Sequence, residues 1–153
     1  MTQSVNEVDR LADLCHALVN LIDRSKVVVT MPVFAPAPPM DPFPGSRFTP
    51  LAVPSRGSVR TSVWQVEIQP GTEPVPHQLT AEEILVVLAG EATVTLAGEA
   101  APAAAGDVII VPPDTDFSLA NAGAVPLRLV CVLPVGGQAR TMDGAVFTPP
   151  WAQ

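Results

Sequence analysis

The chain has 153 residues, the length of one domain, and is long enough to bury a core without disulfide bonds. Its composition is 48% hydrophobic and 15% charged, with 18 prolines and no tyrosine, which indicates a compact, turn-rich, mainly β protein. The net charge of -7 argues against nucleic-acid partners and anionic membrane surfaces, because both require a basic face. The longest apolar runs, such as ILVVLAG, are too short to span a bilayer.

The two cysteines bear on the cellular compartment. Cys15 lies in a helical pattern and Cys131 in a strand pattern, so the sequence does not indicate a disulfide framework. Two reduced, buried thiols are typical of a cytoplasmic protein. No basic segment followed by an apolar stretch opens the sequence, so secretion is not expected. We therefore expect a cytoplasmic location.

Residues 1–30 are predicted to form an amphipathic α-helix followed by a short strand. Ser4 and Glu7 have the spacing of a capping box at a helix start. Apolar residues then recur at three- and four-residue steps, at Val8, Leu11, Cys15, Leu18 and Ile22. Such a stripe needs a sheet or a second subunit to cover it. Together with the apolar residues of the segment that follows, it predicts a homodimer, the commonest closed assembly.

The rest of the chain divides into an arm, a barrel and a tail. Residues 31–55 are rich in proline, which removes ladder donors and fixes φ, so they predict an extended surface arm with room for short edge strands. Residues 56–136 alternate short strand patterns with glycine and proline turns, as in a sandwich or barrel. Residues 137–153 are predicted to pack back on the barrel, with Trp151 as an anchor or as a cap over its opening.

Two motifs occur in order between residues 59 and 134. The first has a glycine, a histidine, a glutamate and a closing glycine, at Gly71, His77, Glu83 and Gly90; the second has Gly106, Pro112 and Asn121. At these spacings the segment resembles the cupin superfamily, and in particular its small single-domain members. The resemblance implies an all-β fold, a cupin-type jelly-roll β-barrel, here with an N-terminal α-helix and a proline-rich extended arm.

Three positions depart from the cupin pattern. Leu79 stands where the resemblance implies a second histidine, and Phe117 where it implies a third. Asp114 replaces a turn glycine, a milder change because aspartate tolerates the left-handed region better than most residues. The resemblance also implies a metal held by three imidazoles and one carboxylate, a set suited to iron, manganese, nickel or zinc.

Strand alternation predicts which side chains face the lumen. Side chains on a strand alternate with period two, so the inward sets are His77 with Leu79, Glu83 with Leu85 and Val87, and Phe117 with Leu119. The neighbouring polar residues Gln78, Glu82 and Asp116 should point away from it. Two donors are fewer than the three that catalytic metal sites generally have. We therefore expect a degenerate metal site and no cofactor; a divalent metal bound by His77 and Glu83 is the disfavoured alternative.

Three functions remain open at this point. The first is a metal-free barrel that binds a small apolar or aromatic molecule in a lumen lined by Trp64, Leu79, Leu85, Val87, Phe117 and Leu119. The second is a metal-free acid–base enzyme of the isomerase or cyclase type, in which His77 and Glu83 transfer protons. The third is a metal-dependent oxygenase or isomerase with an incomplete ligand set.

The retained histidine and glutamate argue against a lumen filled only for packing. Burying an imidazole and a carboxylate in apolar surroundings is costly unless both are paired or reach water. Metal-free cupins that resemble this arrangement include sugar-nucleotide epimerases. A nucleotide sugar is disfavoured here, because the chain lacks tyrosine and its basic candidates on strands are Arg60 and Arg128.

Overall fold

The computed structural model describes residues 33–35 and 37–153 of the chain. These residues form two six-stranded sheets in which all strand pairs are antiparallel. The all-β, jelly-roll class predicted from the sequence is thereby confirmed. The predicted N-terminal helix, with Cys15, lies outside the described residues. Within the described part, no helix combines the length and apolar character needed to cross a membrane.

The strands of the described part are β1 Met40–Phe43, β2 Ser46–Ala52, β3 Thr61–Ile68, β4 His77–Leu79, β5 Glu83–Ala89, β6 Glu91–Leu96, β7 Glu99–Ala104, β8 Val108–Val111, β9 Phe117–Asn121, β10 Leu127–Pro134, β11 Ala139–Thr141 and β12 Val146–Phe147. Two single-turn 3-10 helices, Pro54–Arg56 and Pro150–Ala152, accompany them. One sheet has the order β1-β2-β3-β10-β5-β8, and the other has the order β12-β11-β4-β9-β6-β7.

The central strands bury every second side chain, because one face of each sheet points toward the opposite sheet. On β3 the buried side chains include Trp64, Val66 and Ile68. On β10 they are Leu127, Leu129, Cys131 and Leu133. Cys131 lies opposite Trp64 on one side and Leu85 on the other, so the three strands contribute one continuous inner surface.

Parts of the predicted arm and tail belong to the two sheets. In the arm, β2 pairs along β3, and Pro50 lies beyond the stretch of β2 that pairs with β1, as suits a proline at a sheet margin. In the tail, β11 pairs with β4 and so extends the second sheet. The Ser62 hydroxyl donates a hydrogen bond of 2.7 Å to the Ala152 carbonyl, which fixes the last 3-10 turn and its Trp151 against β3.

Two residues of the second motif stabilise turns. Asp114 has a φ of 52°, in the left-handed region, and its N–H donates to the Leu79 carbonyl at 2.7 Å. The Asn121 side-chain amide donates to the carbonyls of Ile68 and Val125, both at 2.9 Å. Asn121 thus connects the end of β9 to the end of β3 and to the loop before β10, a structural role.

Candidate ligand-binding cavity

A cavity of about 230 Å³ lies between the two sheets. The apolar side chains that line it come from both: Trp64, Val66, Ile68, Leu85 and Leu129 from the first sheet, and Leu79, Phe117, Leu119, Ala139 and Phe147 from the second. On the side of the loop between β3 and β4, the lining includes the exposed residues Glu73 and Val75. The cavity therefore extends from the buried core toward the surface at this loop.

His77 begins β4 and lines the cavity. Its Nδ1 lies 2.8 Å from the Val75 carbonyl oxygen, and because a carbonyl can only accept, Nδ1 carries the proton of this hydrogen bond. In the neutral imidazole, Nε2 is then the acceptor nitrogen. The ring also meets Phe117 edge to face, with centroids 5.5 Å apart and planes at 77°. The carbonyl and the phenyl ring together fix the orientation of the imidazole.

Glu83 begins β5 and is the buried carboxyl group of the cavity, with 5% of its surface exposed. Within the described residues, no hydrogen bond or ion pair joins it to another side chain. Its side chain lines the cavity, so a molecule inside the cavity can reach its carboxyl group. Burial raises the pKa of Glu83 to about 8, so the group is mostly a neutral carboxylic acid at pH 7.

His77 and Glu83 share the cavity without contacting each other. The ion pairs of the described part are Arg47 with Asp41 and Arg140 with Asp114, and neither involves these two residues. The thiol of Cys131 also lines the cavity; burial, together with the nearby Glu83, raises its pKa and keeps it neutral. The arrangement therefore offers a ligand a hydrogen-bond donor at Glu83 and an acceptor at His77 from separate positions.

The donor set of this cavity does not fit the metal that the cupin pattern implies. Leu79 and Phe117 both line the cavity, and Phe117 is the direct cross-strand partner of His77. No group of three histidine, cysteine, aspartate or glutamate side chains suited to a metal occurs among residues 33–35 and 37–153. Gln78 donates a hydrogen bond of 2.7 Å to Asp116, and neither residue lines the cavity. Gln78 and Asp116 are therefore bonded to each other outside the cavity.

The structure places five of the six residues predicted to bind a ligand in the cavity lining: Trp64, Leu79, Leu85, Phe117 and Leu119. Val87 has 1% of its surface exposed but lies outside the lining. The N–H of Val87 donates to the Asp107 carbonyl, and its carbonyl accepts from the Gly106 N–H, beyond the end of the β5–β8 ladder. Val87 is a core residue of the barrel end.

An aromatic cluster completes the lining and was not assigned to it by sequence analysis. Phe48 stacks on Trp151, with centroids 4.1 Å apart and planes at 29°. Phe43 meets both rings edge to face, at 6.1 Å from Phe48 and 6.0 Å from Trp151. All three line the cavity, so both tryptophans of the chain do so. In the sequence, Phe43 and Phe48 lie in the proline-rich segment that predicts a surface arm, so their position in a cavity was not expected.

Comparison with known proteins agrees with this architecture. The family model described as "Cupin domain" matches residues 64–133. A search of curated protein sequences gives no significant match.

Solved structures share the fold at low sequence identity. The polyketide cyclase RemF from Streptomyces resistomycificus has a TM-score of 0.59 at 19% identity, over 65% of this chain and 72% of that one. An RmlC-like cupin from Shewanella frigidimarina has a TM-score of 0.56 at 19% identity, over 64% and 83%. A 7S globulin from Momordica charantia has a TM-score of 0.59 at 23% identity, over 71% and 36%. Residues 64–133 therefore match the cupin domain family, and the fold is the one that these cupin structures share.

Proposed function

We propose that the barrel binds a small apolar or aromatic molecule in its lumen and does so without a metal. The observation that carries this proposal is the cavity of about 230 Å³ with walls of leucine, valine, phenylalanine and tryptophan side chains. An apolar cavity of roughly 150 Å³ is enough to hold benzene in another protein. The present volume accommodates one ring with a short substituent, and several aromatic faces are available for stacking.

Ethylbenzene is a suitable first probe, because it is a substituted ring without any polar group. We expect it to bind with a dissociation constant on the order of 0.1–1 mM, within the affinity that eight heavy atoms can supply. Titration calorimetry measures this directly, and the indole N–H signals of the two tryptophans in an NMR spectrum report whether binding occurs in the lumen.

A variant that fills the cavity provides the control. Ala139 is buried in the lining, so the larger side chain of Ala139→Leu should occupy part of the cavity. Ethylbenzene binding should weaken by tenfold or more, because the ring then buries less apolar surface. Ala101→Leu adds the same atoms at an exposed position of β7 and should leave binding unchanged. Absence of binding to the wild type, or equal binding to both variants, would contradict a lumen site.

A metal-free acid–base enzyme is the second candidate. It is favoured by two groups of the cavity: burial favours Glu83 as a neutral acid, and the hydrogen bond from Nδ1 of His77 to the Val75 carbonyl leaves Nε2 facing away from that carbonyl as a possible base. In this function Glu83 would protonate a carbonyl oxygen while His77 removes a proton from the adjacent carbon, giving the enol. Solvent deuterium entering that carbon of a bound ketone, and failing to enter in His77→Ala, is the measurement that separates this function from binding alone.

We also propose that two copies of the chain associate through the outer surface of the first sheet. The strands β10, β5 and β8 carry aliphatic side chains on the face that points away from the core: Ile84, Val86, Leu88, Val108, Ile110, Val130 and Val132. Leu88, Val108 and Ile110 are each at least half exposed. We call these seven side chains the outer apolar face. Strands that are apolar on both faces are typical of sheets covered on both sides.

The seven side chains of this face are uncharged, which makes it a place where two copies can meet. The chain carries a net charge of -7, so two copies repel each other over most of their surfaces. The outer apolar face contains no acidic side chain, and a two-fold axis brings the same patch of both copies together. The face therefore suits a self-complementary contact better than contact with a charged partner.

A reducing, cytoplasmic setting is part of the same proposal. Cys131 is a free, buried thiol in the described part of the chain, and the whole sequence holds one further cysteine. Folding of this barrel therefore does not depend on an oxidising compartment.

A further inference from the structure

We propose that the ligand of the lumen is an uncharged aromatic or alicyclic carbonyl compound, whose oxygen accepts a hydrogen bond from the carboxyl group of Glu83. This inference rests on the proposed binding function and adds the chemical class of the ligand. It assigns Glu83 a role as hydrogen-bond donor, where the cupin pattern would make it a metal ligand.

The first support is the unsatisfied carboxyl group. Glu83 has 5% of its surface exposed and lines the cavity. Its side chain has no hydrogen-bond partner among the described residues. A polar group buried in apolar surroundings is costly unless it finds a partner. The sheets supply none, so the partner can only come from the contents of the cavity.

The second support is the charge around Glu83. The titratable groups that line the cavity with it are Cys131 on β10, His77 on β4 and Glu73 in the loop before β4. The strand β8, which pairs with β5 beside Glu83, holds only aliphatic residues and none of them lines the cavity. No lysine or arginine occurs in the described lining. An anionic ligand would thus find no permanent cation in the lining and would lie near the carboxylate of Glu73, which disfavours carboxylates and phosphates as ligands.

The third support is the balance of donors and acceptors. As a neutral acid, in the state that burial favours, Glu83 has one O–H to donate. A carbonyl oxygen only accepts, so this one donor satisfies it, and the rest of the molecule meets apolar walls.

The test compares acetophenone with ethylbenzene, which has a similar ring and chain but lacks the oxygen. We define the carbonyl preference as the dissociation constant of ethylbenzene divided by that of acetophenone, measured by titration calorimetry. In the wild type it should fall by about fivefold or more between pH 6 and pH 10, because loss of the Glu83 proton removes a donor whose hydrogen bond has the usual net strength. Dividing the two constants cancels changes that affect every ligand.

Two substitutions at Glu83 separate its proton from its shape. Glu83→Gln keeps an N–H donor, so the carbonyl preference should persist and become independent of pH between 6 and 10. Glu83→Leu removes the donor, so the preference at pH 6 should already equal that of the wild type at pH 10. Glu99→Gln, at an exposed position of β7, serves as the matched control and should behave as the wild type.

The outcomes distinguish this inference from the function on which it rests. If neither compound binds the wild type, the proposed binding function fails and the inference fails with it. If both bind but the carbonyl preference is the same at pH 6 and pH 10, only the role of Glu83 is refuted. Tighter binding of benzoate than of acetophenone at pH 6 would also overturn it, because it would show a site built for an anion. The wild-type pH series decides the question even if a variant does not fold.

Discussion

The carboxyl group of Glu83 combines deep burial with the absence of a compensating charge. A glutamate in such surroundings is costly as an anion and far less costly as an acid, so folding and proton binding are coupled at this position. His77 differs from it, because a carbonyl and an aromatic ring support its imidazole from two sides. Of the two polar groups of the cupin pattern that this chain retains, the His77 imidazole hydrogen-bonds to the protein, and the Glu83 carboxyl group does not.

This coupling predicts that stability falls as the pH rises from about 4.5 to about 8. The pKa of Glu83 is 4.5 in its ordinary state and about 8 in the fold, so below 4.5 both states are protonated and no penalty exists. Between the two values the unfolded chain releases the proton while the folded chain keeps it, and unfolding becomes easier by up to about 1.4 kcal/mol per pH unit. Above 8 the effect levels off. Glu83→Gln should abolish this dependence and be more stable than the wild type at pH 8, as measured by urea unfolding at pH 5, 6.5 and 8.

The control for this measurement is Glu99→Gln, which removes a carboxyl group at an exposed position and should retain the wild-type slope. The Cys131 thiol does not interfere, because its raised pKa lies above the range used. Equal pH slopes for the wild type and Glu83→Gln would show that the glutamate is solvated or paired in solution.

At the scale of strands, alternation was the most informative property of the sequence. It correctly placed Leu79, Leu85, Phe117 and Leu119 on inward faces, because one residue of misregister would turn a whole strand over and expose its apolar set. Alternation could not show how far the cavity runs along the barrel, which is why Val87 was expected in the lining. That limit depends on how side chains from both sheets meet, a long-range feature that a local pattern does not contain.

Weak local patterns account for the strands that were not anticipated. The segment of β7, EAAPAA, has low strand propensity and includes Pro102, yet it pairs along the whole of β6 as the edge of its sheet. The strands β11 and β12 have three and two residues; β11 pairs with β4, and β12 pairs with β11. In each case tertiary pairing decides the outcome, so residues that supply part of the lining, such as Ala139 and Phe147, could not be found from periodicity.

The pairing of β4 with β9 leads to a prediction about metal binding. Restoring both missing imidazoles with Leu79→His and Phe117→His should create a four-donor set with His77 and Glu83, and zinc or nickel should then bind and raise the unfolding temperature. Without metal the double variant should be less stable than the wild type by several kcal/mol, about 2–5 for each large core side chain replaced. Calorimetric titration and thermal unfolding with and without the ion measure both effects.

The matched control places the second new imidazole two residues further along β9. Leu79→His with Leu119→His keeps the same number of histidines on the same face, but Leu119 pairs with Val94 and lies about 6.6 Å further along the strand. It should bind the ion at least tenfold more weakly, because fewer donors reach one point. Equal binding by the wild type and the first double variant would mean that the native donors suffice, and the argument for a metal-free lumen would fail.

For the molecule as a whole, the distribution of charge and apolar surface is uneven. The net charge of the chain is negative, while the outer apolar face consists of seven aliphatic side chains on three adjacent strands. The amphipathic pattern at the N-terminus also predicts a homodimer, but those residues lie outside the described part. The sheet face is an independent reason for the same expectation. It was hidden in the sequence because the runs ILVVL and LVCVL read simply as buried strands.

The dimer proposal predicts that one charge on this face is sufficient to separate the subunits. Ile110 lies on the edge strand β8 with 55% of its surface exposed, so Ile110→Lys costs the monomer little packing, while a two-fold contact would bury two unpaired ammonium groups close together. Sedimentation equilibrium should show a shift from dimer to monomer. The dissociation constant of the dimer should rise at least a hundredfold, which corresponds to about 3 kcal/mol. Val146→Lys changes a valine of 49% exposure on β12, the edge strand of the other sheet, and should leave the dimer intact. A wild-type protein that is monomeric at 100 times the concentration used for the variants, or an equal response of both variants, would show that the outer apolar face is not where two copies meet.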